Sequence, residues 1–173
     1  MTAPARGIPE AMFPRRTAAE LMDASFLARW ADRATLGPAA RATLAEILDR
    51  FVADGAPIEI ASLRDGAAVA ELDERDLVYV SDGRVVLAYP WSGTPTAFIT
   101  VLADGRERWA CCAIDALGVA AMLGQPVTVR AGCHHCEARL DLAVTPAGPV
   151  GGDGVMAWIG ERGDLRGKAC TAL

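Results

Sequence analysis

The order of periodic segments along the chain predicts an α+β protein rather than a doubly wound sheet. Three helical stretches come first, two strand hairpins follow, and one further helix separates these from three more strands. Each hairpin carries an Asp-Gly turn, Ser81-Asp82-Gly83-Arg84 in the first and Ala103-Asp104-Gly105-Arg106 in the second. The 173 residues are 52% hydrophobic, enough to bury a core as one domain or two small ones.

Residues 1–16 are rich in Pro, Ala and Arg and are expected to form a loosely held arm. Thr17-Ala18-Ala19-Glu20 has the form of a capping box. Leu21, Met22, Phe26, Leu27 and Trp30 make the apolar stripe of the helix it starts. A second helix follows Pro38, with Leu44, Ile47, Leu48, Phe51 and Val52 at helical spacing and Gly55 and Pro57 as its stop. A short extended piece at 58–60 and a weak helix at 69–72 lead into the first hairpin, 77–89. Pro90-Trp91-Ser92-Gly93-Thr94-Pro95 reads as a loop. The second hairpin, 98–109, delivers the chain to Cys111. A largely buried helix over 112–122 is closed by Gly124 and Pro126, and 127–129, 140–144 and 155–159 read as strands.

Helix, helix, short helix and hairpin is the order of a winged-helix module. Residues 17–97 are therefore expected to form a winged-helix-like domain and 98–173 a second one. DNA binding is one reading of the first domain and a scaffold is the other. The scaffold is favoured, because Glu71, Asp73, Glu74 and Asp76 outnumber Arg75 around the third helix and would repel phosphates. The net charge of -5 gives no general attraction to nucleic acid or anionic lipid. No apolar run approaches the roughly 20 residues of a membrane span. Pro4, Pro9 and Pro14 interrupt the start, where a signal peptide would need an apolar core. The expectation is a cytoplasmic protein with neither nucleic-acid nor membrane partners. Its five cysteines, an odd number in a core-rich chain, point to reduced thiols with chemical or metal-binding work.

The chemistry centres on Trp109-Ala110-Cys111-Cys112-Ala113-Ile114-Asp115-Ala116-Leu117, where a strand hands over to a helix. Cys112 falls in or near the first helical turn, where unpaired N–H groups and the helix dipole favour a thiolate. Asp115, three residues on, shares its face. A Cys-Cys pair at an Ala-rich helix start can be buried filler. A carboxylate among residues headed for the core, however, needs a partner or a purpose; the structural candidates for a partner are a backbone N–H or an arginine such as Arg130.

This run resembles the active-site segment of the organomercurial (alkylmercury) lyases, in which a Cys-Ala-Leu-Asp core carries the catalytic cysteine and aspartate. The similarity continues from Gly124 through Arg130 and a cysteine-containing turn at Cys133 to Val144-Thr145-Pro146. Asp164-Leu165-Arg166-Gly167-Lys168-Ala169-Cys170 resembles the segment that brings the second catalytic cysteine. The resemblance implies a lyase-like region of mixed antiparallel strands and helix over 98–173. Its catalytic groups would be Cys112, Asp115 and Cys170, and its mercury ligands Cys112 and Cys170. Cys111, where the family pattern commonly has an aromatic residue, adds a third thiol that competes for the metal.

The implied activity is protonolysis of carbon–mercury bonds, part of mercury resistance and detoxification. Mercury(II) is a soft ion that prefers thiolates, and thiolate donation makes its bound carbon more basic. A nearby carboxyl group then protonates that carbon, releasing a hydrocarbon and leaving Hg(II) on the sulfurs. The implied partners are an organomercurial substrate and a mercury-accepting reductase. No added cofactor is implied, only Hg(II) as bound product and small cellular thiols to remove it. The alternative is a non-enzymatic thiol protein of the same fold that binds or senses metal; a third reading is a DNA-binding regulator.

Cys133-His134-His135-Cys136 is half of a zinc knuckle, with Cys133 and Cys136 as candidate ligands of a structural or secondary metal. A tetrahedral site needs a second pair of ligands, and the sequence holds no second such motif. The favoured reading is a reduced structural turn, the role the resemblance also implies for Cys133.

Overall fold

The computed structural model describes residues 34–157 together with Thr17, Glu20, Leu27 and Ala31. Two compact units make up the chain, Met1–Leu36 and Gly37–Leu173. In the first, the capping box is formed: the Glu20 carboxylate accepts the Thr17 backbone N–H at 2.6 Å, and the Glu20 N–H reaches Thr17 Oγ1 at 3.3 Å. Leu27, assigned to an apolar stripe, is 49% exposed. The other stripe residues lie outside the described residues.

The second unit begins with helix α1, Pro38–Asp54, which has proline in its first turn and Gly55 in the left-handed conformation (φ 66°) at its end. Its buried face is Ala40, Thr43, Ile47 and Phe51, so a threonine sits inside the stripe; the Thr43 hydroxyl is satisfied by the Asp65 carbonyl at 3.3 Å. Strand β1 (Ile58–Glu59), two 3-10 turns (Ile60–Ser62 and Gly66–Ala68) and helix α2 (Val69–Glu74) follow. Leu72 of α2 is fully buried with Ile47, Phe51, Val78 and Val85.

Strands β2 (Val78–Ser81) and β3 (Arg84–Ala88) form the first hairpin. Both of its turn residues have positive φ, Asp82 at 50° and Gly83 at 72°, as the tight turn requires. β3 carries one extra residue, Val86, against β2. Across this irregularity the Val80 N–H is taken by Asp73 Oδ1 at 3.3 Å, so one of the acidic residues of α2 holds the hairpin.

The expected loop at 90–95 is corrected. Trp91–Ser92 is a short strand, β4, pairing with β3 on one side and with β6 (Glu107–Ala110) on the other. Trp91 is 1% exposed. Turn-forming proline and glycine on both sides mask the dipeptide in the sequence, while burial of the indole and ladder bonds to both neighbours make it a strand. β5 (Phe98–Val101) and β6 form the second hairpin, α3 spans Ala113–Leu123, and β7 (Val127–Gly132), β8 (Arg139–Thr145) and β9 (Gly148–Val150) complete the set. The third expected strand of this region, 155–159, is also corrected: β9 takes its place, paired with β8. Residues 155–157 are not in a strand, and 158–159 lie outside the described residues.

All nine strands among the described residues pair antiparallel in one sheet, in the order β1-β3-β4-β6-β5-β7-β8-β9 with β2 on β3. α3 packs on strands β5 to β9 through Ala116, Val119 and Ala120, small enough for close approach. The architecture is α+β, with few helices and an antiparallel sheet, as the sequence predicts.

Candidate functional site

Cys112 is the N-cap of α3, in extended backbone (φ -150°, ψ 179°). Its carbonyl accepts the first helical bond from Ala116 at 3.0 Å. Its sulfur does the work a serine or aspartate oxygen does in other helices, accepting the Asp115 backbone N–H at 3.4 Å. In return the thiol donates to Asp115 Oδ2 at 3.0 Å. Thiol and carboxylate thus touch through the reciprocal geometry of a helix cap, with the carboxylate three residues on, where a cap reaches.

The approach to Cys112 is held at two points. The Cys111 N–H donates to the Pro90 carbonyl at 3.0 Å. The Thr96 hydroxyl donates to the Ala110 carbonyl at 2.6 Å. Neither Pro90 nor Thr96 is marked by the sequence as a site residue; the only signal is the polar, proline-bearing stretch 94–96 beside the hairpin that delivers Cys111.

The thiolate expected from the helix dipole is not the resting form. Burial pushes the Cys112 thiol up to about 11. The N–H groups of Asp115 and Ile114 oppose that shift, and the Asp115 carboxylate adds to it. Desolvation at this half-buried position outweighs the helix end, so Cys112 is a neutral thiol at pH 7, hydrogen-bonded to a carboxylate. Arg130 pairs instead with Glu107, and lies 3.4 Å from Asp141.

Cys111 directly precedes Cys112 and is partly exposed. Cys170 lies outside the described residues. Cys133 and Cys136 are free thiols in the turn between β7 and β8. Among the described residues, no three His, Cys, Asp or Glu side chains gather to hold a metal ion. No helix there is long and apolar enough to cross a membrane.

Residues 91–170 match the family model of the alkylmercury lyases, MerB. Among solved structures, the crystal structure of the mercury-bound form of MerB2 is similar with a TM-score of 0.55 and 22% identity, over 68% of this chain and 61% of that one. The chain thus spans less than two thirds of that relative's length. No curated protein matches the chain.

Proposed function

We propose that this chain, whose residues 91–170 match the alkylmercury lyase family model, cleaves carbon–mercury bonds by protonolysis, with Cys112 and Asp115 as its central pair. The observation that carries this reading is the Cys112 Sγ to Asp115 Oδ2 hydrogen bond of 3.0 Å. It gives the proton a path. As mercury of an organomercurial bonds to Cys112 sulfur, the S–H bond breaks and its proton moves to the Asp115 carboxylate already holding it. The carboxylic acid then returns that proton to the carbon, whose bond to mercury breaks with its electron pair forming the new C–H bond. A hydrocarbon leaves, the metal stays on sulfur, and Asp115 is again a carboxylate. A neutral resting thiol suits this sequence, because the proton to be delivered is stored at the site until mercury displaces it.

Cys170 is proposed as the second mercury ligand and Cys111 as a neighbouring thiol able to share the ion. Two sulfurs weaken the carbon–mercury bond more than one, since each donates to the metal. Residues 17–97, read as a winged-helix-like domain, would serve as scaffold. The enzyme would work in the cytoplasm, with the bound Hg(II) passing to small thiols and on to a mercury-accepting reductase.

The test is direct. Purified protein with an aryl- or alkylmercury compound and excess small thiol is expected to release the corresponding hydrocarbon, measured by headspace gas chromatography. Stoichiometric mercury binding with no hydrocarbon released would instead establish the alternative, a thiol protein that binds or senses the metal.

A further inference from the structure

The thiols at Cys133 and Cys136 take no part in that reaction, yet the fold presents them as a pair. They stand in the turn that joins β7 to β8, whose register runs up to Gly132 opposite Arg139. The turn is closed from both sides: the Cys133 N–H donates to the Ala138 carbonyl at 2.8 Å, and the Glu137 N–H to the Cys133 carbonyl at 2.8 Å. Glu137 adopts the left-handed conformation, φ 59°, that lets the chain re-enter the sheet. The Glu137 to Cys133 bond closes residues 133–137 into a single turn of helical type, in which residues three apart lie on the same side. Cys133 and Cys136 are thus three positions apart on one side of a closed turn, the spacing at which two cysteines can share an ion. Cys136 is exposed and Cys133 half-buried, so the pair opens to solvent.

The ligand count decides what such a pair can take. A tetrahedral zinc ion needs four donors, and no group of three candidate ligands exists anywhere among the described residues. Ions satisfied by two thiolates are the soft, thiophilic ones, of which mercury(II) is one. Position adds a second argument. Trp109 of β6 and Arg130 of β7 both lie opposite Ile99 of the intervening strand β5. Cys112 and Cys133 each follow three positions on from those residues. The two cysteines therefore leave the sheet at the same end, two strand spacings apart, which is about 10 Å along the hydrogen-bonding direction.

We propose that Cys133 and Cys136 form a second soft-metal site, a solvent-facing dithiol clamp that holds a two-coordinate thiophilic cation at the same end of the sheet as Cys112. Metal enters by ligand exchange without redox change: each cysteine sulfur replaces one small thiolate of a mercury bis-thiolate, and the cysteine's proton leaves on the departing thiol. If Cys112 is the cleavage site proposed above, the clamp is placed to receive its product; binding by the clamp itself does not depend on that reading.

The experiment uses the reduced full chain, mercuric chloride and an excess of a small monothiol. Mercury retained after desalting is measured by elemental analysis and by the ultraviolet sulfur-to-mercury charge-transfer band. A variant with Cys111→Ser, Cys112→Ser and Cys170→Ser keeps only the clamp and is expected to retain about one mercury per chain. Adding Cys136→Ser should weaken retention against the monothiol by roughly a hundredfold or more, because the second sulfur then no longer binds intramolecularly. Should the triple variant fold poorly, Cys136→Ser in the native chain is expected to lower retained mercury by one per chain. His134→Ala with His135→Ala should leave retention unchanged. Equal retention with and without Cys136, loss of metal from the histidine variant, or no retention by a folded triple variant would each overturn the clamp. Failure of the native chain to release hydrocarbon would leave this result standing and would count against the cleavage reading alone.

Discussion

At the scale of single residues, Cys112 and Asp115 are joined by a hydrogen bond, and their coupling makes measurable statements. Burial and the adjacent carboxylate both raise the Cys112 thiol, to about 11, whereas N–H groups lower that of Cys133. Alkylation with iodoacetamide consumes thiolate. Peptide mapping by mass spectrometry should therefore find Cys133 modified well before Cys112 at pH 7–8, with the Cys112 rate still rising toward pH 11. The same raised value has a sign for stability. The folded state holds the Cys112 proton to higher pH than the unfolded chain does, so this contribution is complete below the ordinary thiol range and is lost as pH rises through about 11. Early modification of Cys112 at neutral pH would show it to be a thiolate and remove the stored proton from the proposed mechanism.

Substitution separates the two roles. Asp115→Ala should still bind mercury but lose cleavage by about a hundredfold to ten-thousandfold, the usual worth of a positioned proton carrier. Cys112→Ser should impair both, since a hydroxyl is a poor ligand for a soft ion. Asp115 also receives the Cys112 thiol's hydrogen bond at the start of α3. Melting temperature measured alongside activity identifies any loss that is merely structural. Near-normal turnover in folded Asp115→Ala would take the aspartate out of the reaction.

At the scale of elements, the joint between α1 and the sheet rests on Arg108, only 8% exposed. Its Nε donates to the Phe51 and Val52 carbonyls at 3.0 and 2.8 Å, and an Nη donates to Ala53 at 2.5 Å. Val52 and Ala53 carry last-turn carbonyls that the helix itself leaves unpaired, while Phe51 also accepts the Gly55 N–H at 2.9 Å; a cation there also meets the negative end of the helix dipole. α1 has no basic residue in its own last turn, so the sheet supplies one. Burial lowers the Arg108 pKa below that of an ordinary arginine, but the group remains protonated. Arg108→Met removes these charge-assisted bonds, although Phe51 keeps the Gly55 N–H and Val52 and Ala53 keep Arg106; the loss should cost about 1.5–3 kcal/mol, a fall of roughly 3–12 °C in melting temperature. Arg84→Met is the comparison. Arg84 pairs with Glu59 at 2.5 Å with both side chains more than half exposed, and its loss should cost about 1 kcal/mol or less. Equal losses in differential scanning calorimetry would deny Arg108 its special place. Gly55 belongs to the same joint: a Cβ there would lie 2.8 Å from Arg108 Cδ.

At the scale of the whole molecule, one sheet runs from β1 to β9 because Trp91–Ser92 pairs with strands on both sides. The α1, α2 and first-hairpin region is thereby tied through the backbone to the strands that deliver Cys112. This favours a scaffold over an independent DNA reader. The acidic groups of α2 serve that scaffold: Asp73 holds the Val80 N–H and Glu71 pairs with Arg75 at 3.2 Å. Fluorescence anisotropy with a labelled duplex should therefore show no binding that weakens steeply between about 50 and 200 mM salt. A steep slope would count neutralised phosphates and restore the DNA-binding reading.

The sequence by itself determined whatever depends on neighbours along the chain. The Thr17 to Glu20 box, the Gly55 and Gly124 helix stops, both Asp-Gly hairpins and the Cys112 to Asp115 spacing are local devices whose geometry repeats wherever the residues occur. The candidate pair was legible for that reason: a cap and a residue three positions on must meet. Tertiary structure decided what depends on distant groups. It made Trp91–Ser92 a strand, because only β3 and β6 together supply its partners, and put β9 at Gly148–Val150, where β8 offers an edge. It brought Arg108 to the end of α1 across more than fifty positions of chain. It also reversed the expected charge of Cys112, because a helix end favours a thiolate only while solvent supports the charge, and desolvation is set by packing.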